Sequence, residues 1–90
     1  MVRIALLRDS FGSEAGEIVI HNDSIRAEYA GTRLTVPLNY LDEVSLIDKS
    51  PLGKVKARIV IYDILGNRSI IEALISESNF FTLRGFLRKK

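Results

Sequence analysis

Residues 17–37, EIVIHNDSIRAEYAGTRLTVP, decide the fold class. Ile18, Val19 and Ile20 form a β-branched run that reads as a strand, and Asn22 with Asp23 can occupy the φ > 0 positions of a tight hairpin turn. The next strand alternates: Ile25, Ala27 and Tyr29 point one way and Arg26 and Glu28 the other, as in a sheet with one wet face. Ala30 and Gly31 supply a second two-residue turn. Leu34 and Val36 then face the core, Arg33 and Thr35 face water, and Pro37 ends the ladder because it has no N–H to donate.

Working outward, Ile4 to Leu7 lie between Arg3 and Arg8 as a short first strand, followed by a loop over Asp9 to Gly16. Beyond Pro37 the chain turns a corner between Leu38 and Leu41, and Val44 to Ile47 is a fifth strand. Ser50, Pro51 and Gly53 form a loop. The clearest alternation follows, with Val55, Ala57, Ile59 and Ile61 on one face, Lys56 and Arg58 on the other, and Tyr62 at the end. Asp63 to Asn67, with Gly66 at a φ > 0 site, returns the chain into a seventh strand, Ile70 to Ile75.

The period then changes. Ser76 is placed to cap a helix, with Glu77 in its first turn. Phe80, Leu83 and Leu87 recur at helical spacing, and Phe81 and Phe86 widen that stripe. Gly85 is read as a point of close approach to the sheet, with a helix break as the alternative. The predicted architecture is mainly β with one C-terminal α-helix: a seven-stranded antiparallel, partly open barrel capped by the helix.

Ninety residues, 47% of them apolar, support one domain over 1–90. The net charge of +2 is too small to advertise a polyanion partner by its field alone. The absence of Cys removes disulfides, thiolate nucleophiles and Cys-based metal sites. No apolar run approaches the roughly 20 residues a membrane span needs, and no signal-peptide core is present, so a cytoplasmic location is expected.

Catalysis has little to stand on. The single His, His21, sits beside Asn22 and Asp23, but the nucleophiles on offer, Ser10, Ser13 and Ser24, lie in no nucleophile elbow. Asp42 and Glu43 are neighbours on a strand and project to opposite faces, which suits a solvated strand start better than a cation clamp. With no phosphate loop and no GxGxxG, a non-enzymatic chain without metal or cofactor is expected.

Two surfaces remain. Lys49, Lys54, Lys56 and Arg58 surround the Ser50 to Gly53 loop, with Lys56 and Arg58 about 7 Å apart on one strand face, and Arg68 is expected to join them across the hairpin. Such a patch is either an outer face kept soluble by charge or a site for an acidic partner surface or anionic lipid; together with Arg88, Lys89 and Lys90 it offers an anionic membrane a weak, salt-sensitive attachment. The patch has no interleaved aromatic residues on which bases could stack, which argues against nucleic acid. The second surface consists of apolar residues in connections, Phe11, Leu52, Ile64 and Leu65. These either fold over the open ends of the barrel or mark a contact for a protein partner or a second copy of the chain.

The run from Ile18 to Val44, with its Asn-Asp turn, Tyr29, Gly31 and then Val36, Pro37, Leu38, Leu41 and Val44, resembles the pleckstrin-homology-like superfold, in particular small prokaryotic PH and GRAM-like domains. A weaker likeness is to the PH-like part of the archaeal taxis adaptor family CheF. The resemblance implies a barrel closed by a helix and says little about a ligand; the strand-plus-helix pattern, the missing catalytic residues and the loop apolars point to an adaptor or self-associating, protein-binding module. The segment Arg8 to Glu17 departs from the basic first hairpin of phosphoinositide-binding relatives, since one Arg there faces three carboxylates. The usual Trp of the closing helix is also missing, leaving Phe80 or Phe81 to fill its volume.

Overall fold

A computed structural model describes residues 1–9 and 11–87. Seven strands precede one helix: β1 (Val2–Leu7), β2 (Glu14–His21), β3 (Ser24–Tyr29), β4 (Thr32–Pro37), β5 (Leu41–Ser50), β6 (Lys54–Tyr62), β7 (Arg68–Ser76) and α1 (Glu77–Leu87). A single 3-10 turn, Leu38–Tyr40, makes the corner between β4 and β5. The strands form one antiparallel sheet in the order β4-β3-β2-β1-β7-β6-β5. It is a partly open barrel capped by the helix.

The two hairpins of residues 17–37 form as their sequence dictates. His21 pairs with Ser24 and Tyr29 with Thr32. Ala30 and Gly31 both take left-handed angles (φ 52° and 79°), which matches the strand twist across a two-residue turn. At the other turn only Asn22 does so (φ 54°). Inward-facing Ile4, Ile18, Ile25, Val36, Ile59, Ile61, Ile71 and Ile75 meet in one core, which Phe80 and Leu83 of α1 complete. Each such aliphatic side chain contributes about 1.5–3 kcal/mol on burial.

The helix begins where the sequence places it. The Ser76 hydroxyl accepts the Asn79 N–H at 3.2 Å, a side-chain cap on one of the helix's orphan donors. The Glu77 N–H donates to the Gly53 carbonyl at 3.0 Å, tying the helix start to the β5–β6 turn. The apolar stripe is narrower than expected, however. Phe80 and Leu83 are buried and Phe86 and Leu87 pack partly against the core, whereas Phe81 is 61% exposed and makes an edge-to-face pair with the Phe80 ring.

Three further expectations need correction. β2 starts at Glu14, so part of the predicted loop is strand. β5 has ten residues rather than the four from Val44 to Ile47, because register shifts at Asp42 and Ile47 interrupt its period-two pattern. Gly85 neither breaks the helix nor approaches the sheet: a Cβ there would meet nothing within 4 Å. The close approach is at Gly16, where a Cβ would sit 2.0 Å from the carbonyl oxygen of Glu28 on the neighbouring strand.

These two glycines therefore respond oppositely to alanine. Gly16→Ala forces backbone apart and is expected to cost about 1–3 kcal/mol, while Gly85→Ala is expected to stabilise by up to about 1 kcal/mol through helix propensity alone. Urea unfolding of the two variants checks both signs.

Candidate functional site

β1 is short, and that shapes the surface. It pairs with β2 along its whole length but meets β7 only through Leu7 and Leu74. β7 pairs with β6 at every residue from Arg68 to Ser76. On its other side, from Arg68 to Ala73, no strand is paired among the described residues. The barrel wall is split along this line.

Strand alternation settles which backbone groups face the split. The Asp63 N–H donates to the Asn67 carbonyl at 2.9 Å, so these two residues close the β6–β7 hairpin. Counting along the ladder, Ser69, Ile71 and Ala73 exchange hydrogen bonds with β6, whereas Arg68, Ile70 and Glu72 turn their N–H and C=O groups away from it. One of these groups has a partner: the Tyr29 hydroxyl reaches across from β3 and donates to the Glu72 carbonyl at 3.0 Å.

Tyr29 and the adjoining Ala30 divide the split into two clefts. One, of about 300 Å3, is lined by Ala27, Leu34, Ser69, Ile70 and Ile71. The other, of about 400 Å3, has Leu7, Ala15 and Ala73 with Arg8, Lys56 and Glu72. Ile70 is 52% exposed beside the apolar cleft. Among the described residues Arg8 and Lys56 form no ion pair, while Glu72 is held by both Nε and Nη2 of Arg58 at 3.0 and 2.9 Å.

The predicted basic patch is divided by the register. Lys56 and Arg58 do lie on one outer face, but Arg58 stands opposite Glu72 and is neutralised by it. Arg68 stands opposite Tyr62, four residues from Arg58 or about 13 Å along the strand. It does not join the patch and faces Glu43 at 3.8 Å instead. The Lys54 ammonium donates to the Leu52 carbonyl at 3.3 Å, and Lys49 is exposed on β5 opposite Val55. Arg88, Lys89 and Lys90 lie outside the described residues.

The loop apolars do not fold over the barrel. Phe11 is 89% exposed and Leu65 81%, with Ile64 and Leu52 also out in solvent. Their turns hold them there. The Asp9 carboxylate accepts the N–H groups of Phe11 and Ser13, and that of Asp63 accepts those of Leu65 and Asn67 at 2.9 and 2.8 Å, plus the Asn67 side-chain amide. Leu52 and the Ile64–Leu65 pair sit at opposite ends of β6, about 26 Å apart along the strand, so they form separate contacts.

The remaining candidates have structural surroundings. His21 is exposed at its turn and its carbonyl accepts the Ser24 hydroxyl at 3.1 Å. Ser13 is exposed in the β1–β2 loop, and Ser10 lies outside the described residues. Asp42 occupies the β5 register shift, and Glu43 accepts the Ser45 hydroxyl at 2.7 Å. Among the described residues no cluster of three metal-ligating side chains occurs, and no helix is long and apolar enough to cross a membrane.

The split was not anticipated from the sequence. Its one legible sign is the mismatch between a first strand bounded by Arg3 and Arg8 and a last strand half as long again, which one short neighbour cannot cover. Comparison with known proteins adds no constraint: no family model, no curated protein and no solved structure matches this chain.

Asp63 carries a pH signature. The N–H of Asn67, above all, holds its carboxyl below the ordinary carboxylate range, assisted by the Asn67 amide and the Leu65 N–H. A depressed native pKa contributes stability above the unfolded value and loses it as pH falls through the native one. Asp63→Ala is therefore expected to lower the unfolding midpoint at pH 7, with the difference from the native chain vanishing in strong acid. Thermal melts across pH 2–7 measure this.

Proposed function

We propose that the chain is a non-enzymatic, protein-binding module of the prokaryotic cytoplasm, with a pleckstrin-homology-like fold. The observation that carries the reading is the outward display of Phe11, Leu52, Ile64 and Leu65, with the turns of Phe11 and of Ile64–Leu65 each fixed by an aspartate carboxylate. Exposed apolar side chains on ordered loops give nothing to a free domain and are a common feature of contact surfaces. The order of the strands and the helix that caps them support the likeness to PH and GRAM-like domains. That likeness is one of fold, and the functional argument rests on the surface.

Attachment to anionic membrane has less support. Of the predicted cations among the described residues, Arg58 and Arg68 are engaged by Glu72 and Glu43, which leaves Lys49, Lys54 and Lys56, while Arg88, Lys89 and Lys90 lie outside the described residues. At about 1 kcal/mol each, three lysines hold a domain to a vesicle only weakly.

Chemical cross-linking in a native lysate, followed by affinity capture on the full chain, is expected to recover a stoichiometric protein partner. Phe11→Ser combined with Leu65→Ser should weaken that capture without changing the unfolding midpoint by more than about 0.5 kcal/mol in stability, since both sites are exposed. A chain that is monomeric on sedimentation and captures nothing rules the reading out. Sedimentation with vesicles containing phosphatidylglycerol at low salt tests the membrane alternative, for which no binding is expected.

A further inference from the structure

We propose that the split beside β7 receives an extended segment of a partner protein as an additional strand, which rests on the protein-binding reading above and names the kind of segment bound. The segment runs antiparallel to β7, with an acidic residue followed by an apolar residue, any residue and a second apolar residue. Three observations converge on it.

The first is the backbone. Arg68, Ile70 and Glu72 present three N–H donors and three carbonyl acceptors to the split, and the Tyr29 hydroxyl occupies one carbonyl. An unpaired strand edge is a template for another strand, and main-chain bonds supply affinity that does not depend on side-chain identity. The second is the direction. β1 meets β7 antiparallel at Leu7 and Leu74 and then leaves, so an incoming segment that continues the line of β1 passes Glu72, Ile71, Ile70 and Ser69 in turn. Antiparallel addition also gives the straighter, stronger hydrogen bonds.

The third is the chemistry of the walls. A residue opposite Ile71 points inward, as Ile71 does, toward the cleft lined by Ala27 and Leu34, and so does the residue two further on, opposite Ser69. A residue opposite Glu72 points outward, where Arg8 and Lys56 lie without an ion pair among the described residues. The Glu72 carboxylate is committed to Arg58, so the local field that this residue meets is positive. An acid is the complement.

Tyr29 is the latch of this site. Its hydroxyl holds the Glu72 carbonyl in the empty chain and gives way to a main-chain N–H of the segment. Tyr29→Phe removes that competitor, and loss of one ordinary hydrogen bond of about 0.5–1.4 kcal/mol corresponds to a gain of about 2- to 10-fold in affinity.

Amide exchange and peptide titration followed by NMR test the proposal on the full chain. In the free chain the amides of Ile70 and Glu72 are expected to exchange quickly while those of Ser69, Ile71 and Ala73 are protected; uniform protection along β7 would mean that the edge is not free. The probe is a set of capped hexapeptides, threonine, aspartate, apolar, threonine, apolar, threonine, with leucine, valine or phenylalanine at the apolar positions. At about millimolar concentration at least one is expected to shift and protect Ile70 and Glu72, and the same peptide with lysine for aspartate is expected to bind about tenfold more weakly. No peptide in the set perturbing these amides overturns the proposal.

Ile70→Pro deletes a donor that β6 does not use, so it should abolish peptide binding in a folded chain. Should that variant fail to fold, Arg8→Glu with Lys56→Glu provides the second test, and it must invert the preference from the aspartate to the lysine peptide. Retention of the lysate partner by Ile70→Pro, with the peptide lost or never bound, would sink the split as its site and leave protein binding intact. Capture of no partner and no peptide would sink both.

Discussion

The structure turns on one junction, the pairing of Leu7 with Leu74. Among the described residues it is the sole ladder contact between the four strands that precede the corner at Leu38–Tyr40 and the three that follow it. Because the sheet bends at a single pair there, the two halves fold over a shared core instead of extending as one flat surface, and Ile4, Leu6 and Ile18 from one half meet Ile59, Ile61 and Ile75 from the other. The cost of so brief a junction is the unpaired side of β7. The capping helix covers the opposite side of that half, lying mainly against β5, so the core is closed there and the split stays open.

Charge is arranged to keep the outer faces quiet. Across the first half, Arg3 lies beside Glu14 and Glu17, Arg26 beside Glu17 and Glu28, and Arg33 beside Glu28, an alternating ladder of three cations and three anions. Exposed pairs of this kind contribute about 0–1 kcal/mol each, so the ladder does little for stability. Its effect is on what the face can attract, since a neutralised surface binds neither polyanion nor polycation. Arg58 with Glu72 and Arg68 with Glu43 do the same for the second half. The cations left over near the split, Arg8 and Lys56, are conspicuous against that background.

Most of the fold was legible because its signals are local. A two-residue turn at Ala30–Gly31, a period of two in Val55, Ala57, Ile59 and Ile61, and a Ser76 cap each depend on a few neighbouring residues, and each appears where it was expected. What was misread depends on tertiary pairing. Ile47 falls at a register shift in β5, so the strand extends past the point where alternation fails. Phe81 continues the apolar stripe in sequence but is left largely exposed on α1, outside the core that Phe80 and Leu83 enter. The basic patch divides for the same reason: strand spacing puts Lys56 and Arg58 together, but only the register with β7 reveals that Glu72 answers one of them. The split, a property of which strands fail to pair, leaves almost no local trace.

The three unpaired edges of this sheet are not equivalent, and the difference bears on where a further strand could pair. β5 is interrupted by two register shifts, and β4 is six residues long and ends in Pro37, which presents no N–H. Bulges, short length and proline are the devices by which sheets resist pairing with other chains. The edge of β7 carries none of them. From Arg68 to Ala73 it is regular in register with β6, opens onto one apolar and one charged cleft, and is crossed by Tyr29, whose hydroxyl holds one carbonyl. A side-chain hydrogen bond is a reversible obstruction, exchanged for an equivalent bond when a main-chain N–H arrives, whereas a proline or a bulge is permanent. The chain thus guards permanently the edges on which pairing would be aggregation and guards reversibly the one edge set inside a groove, where shape and charge can select what enters.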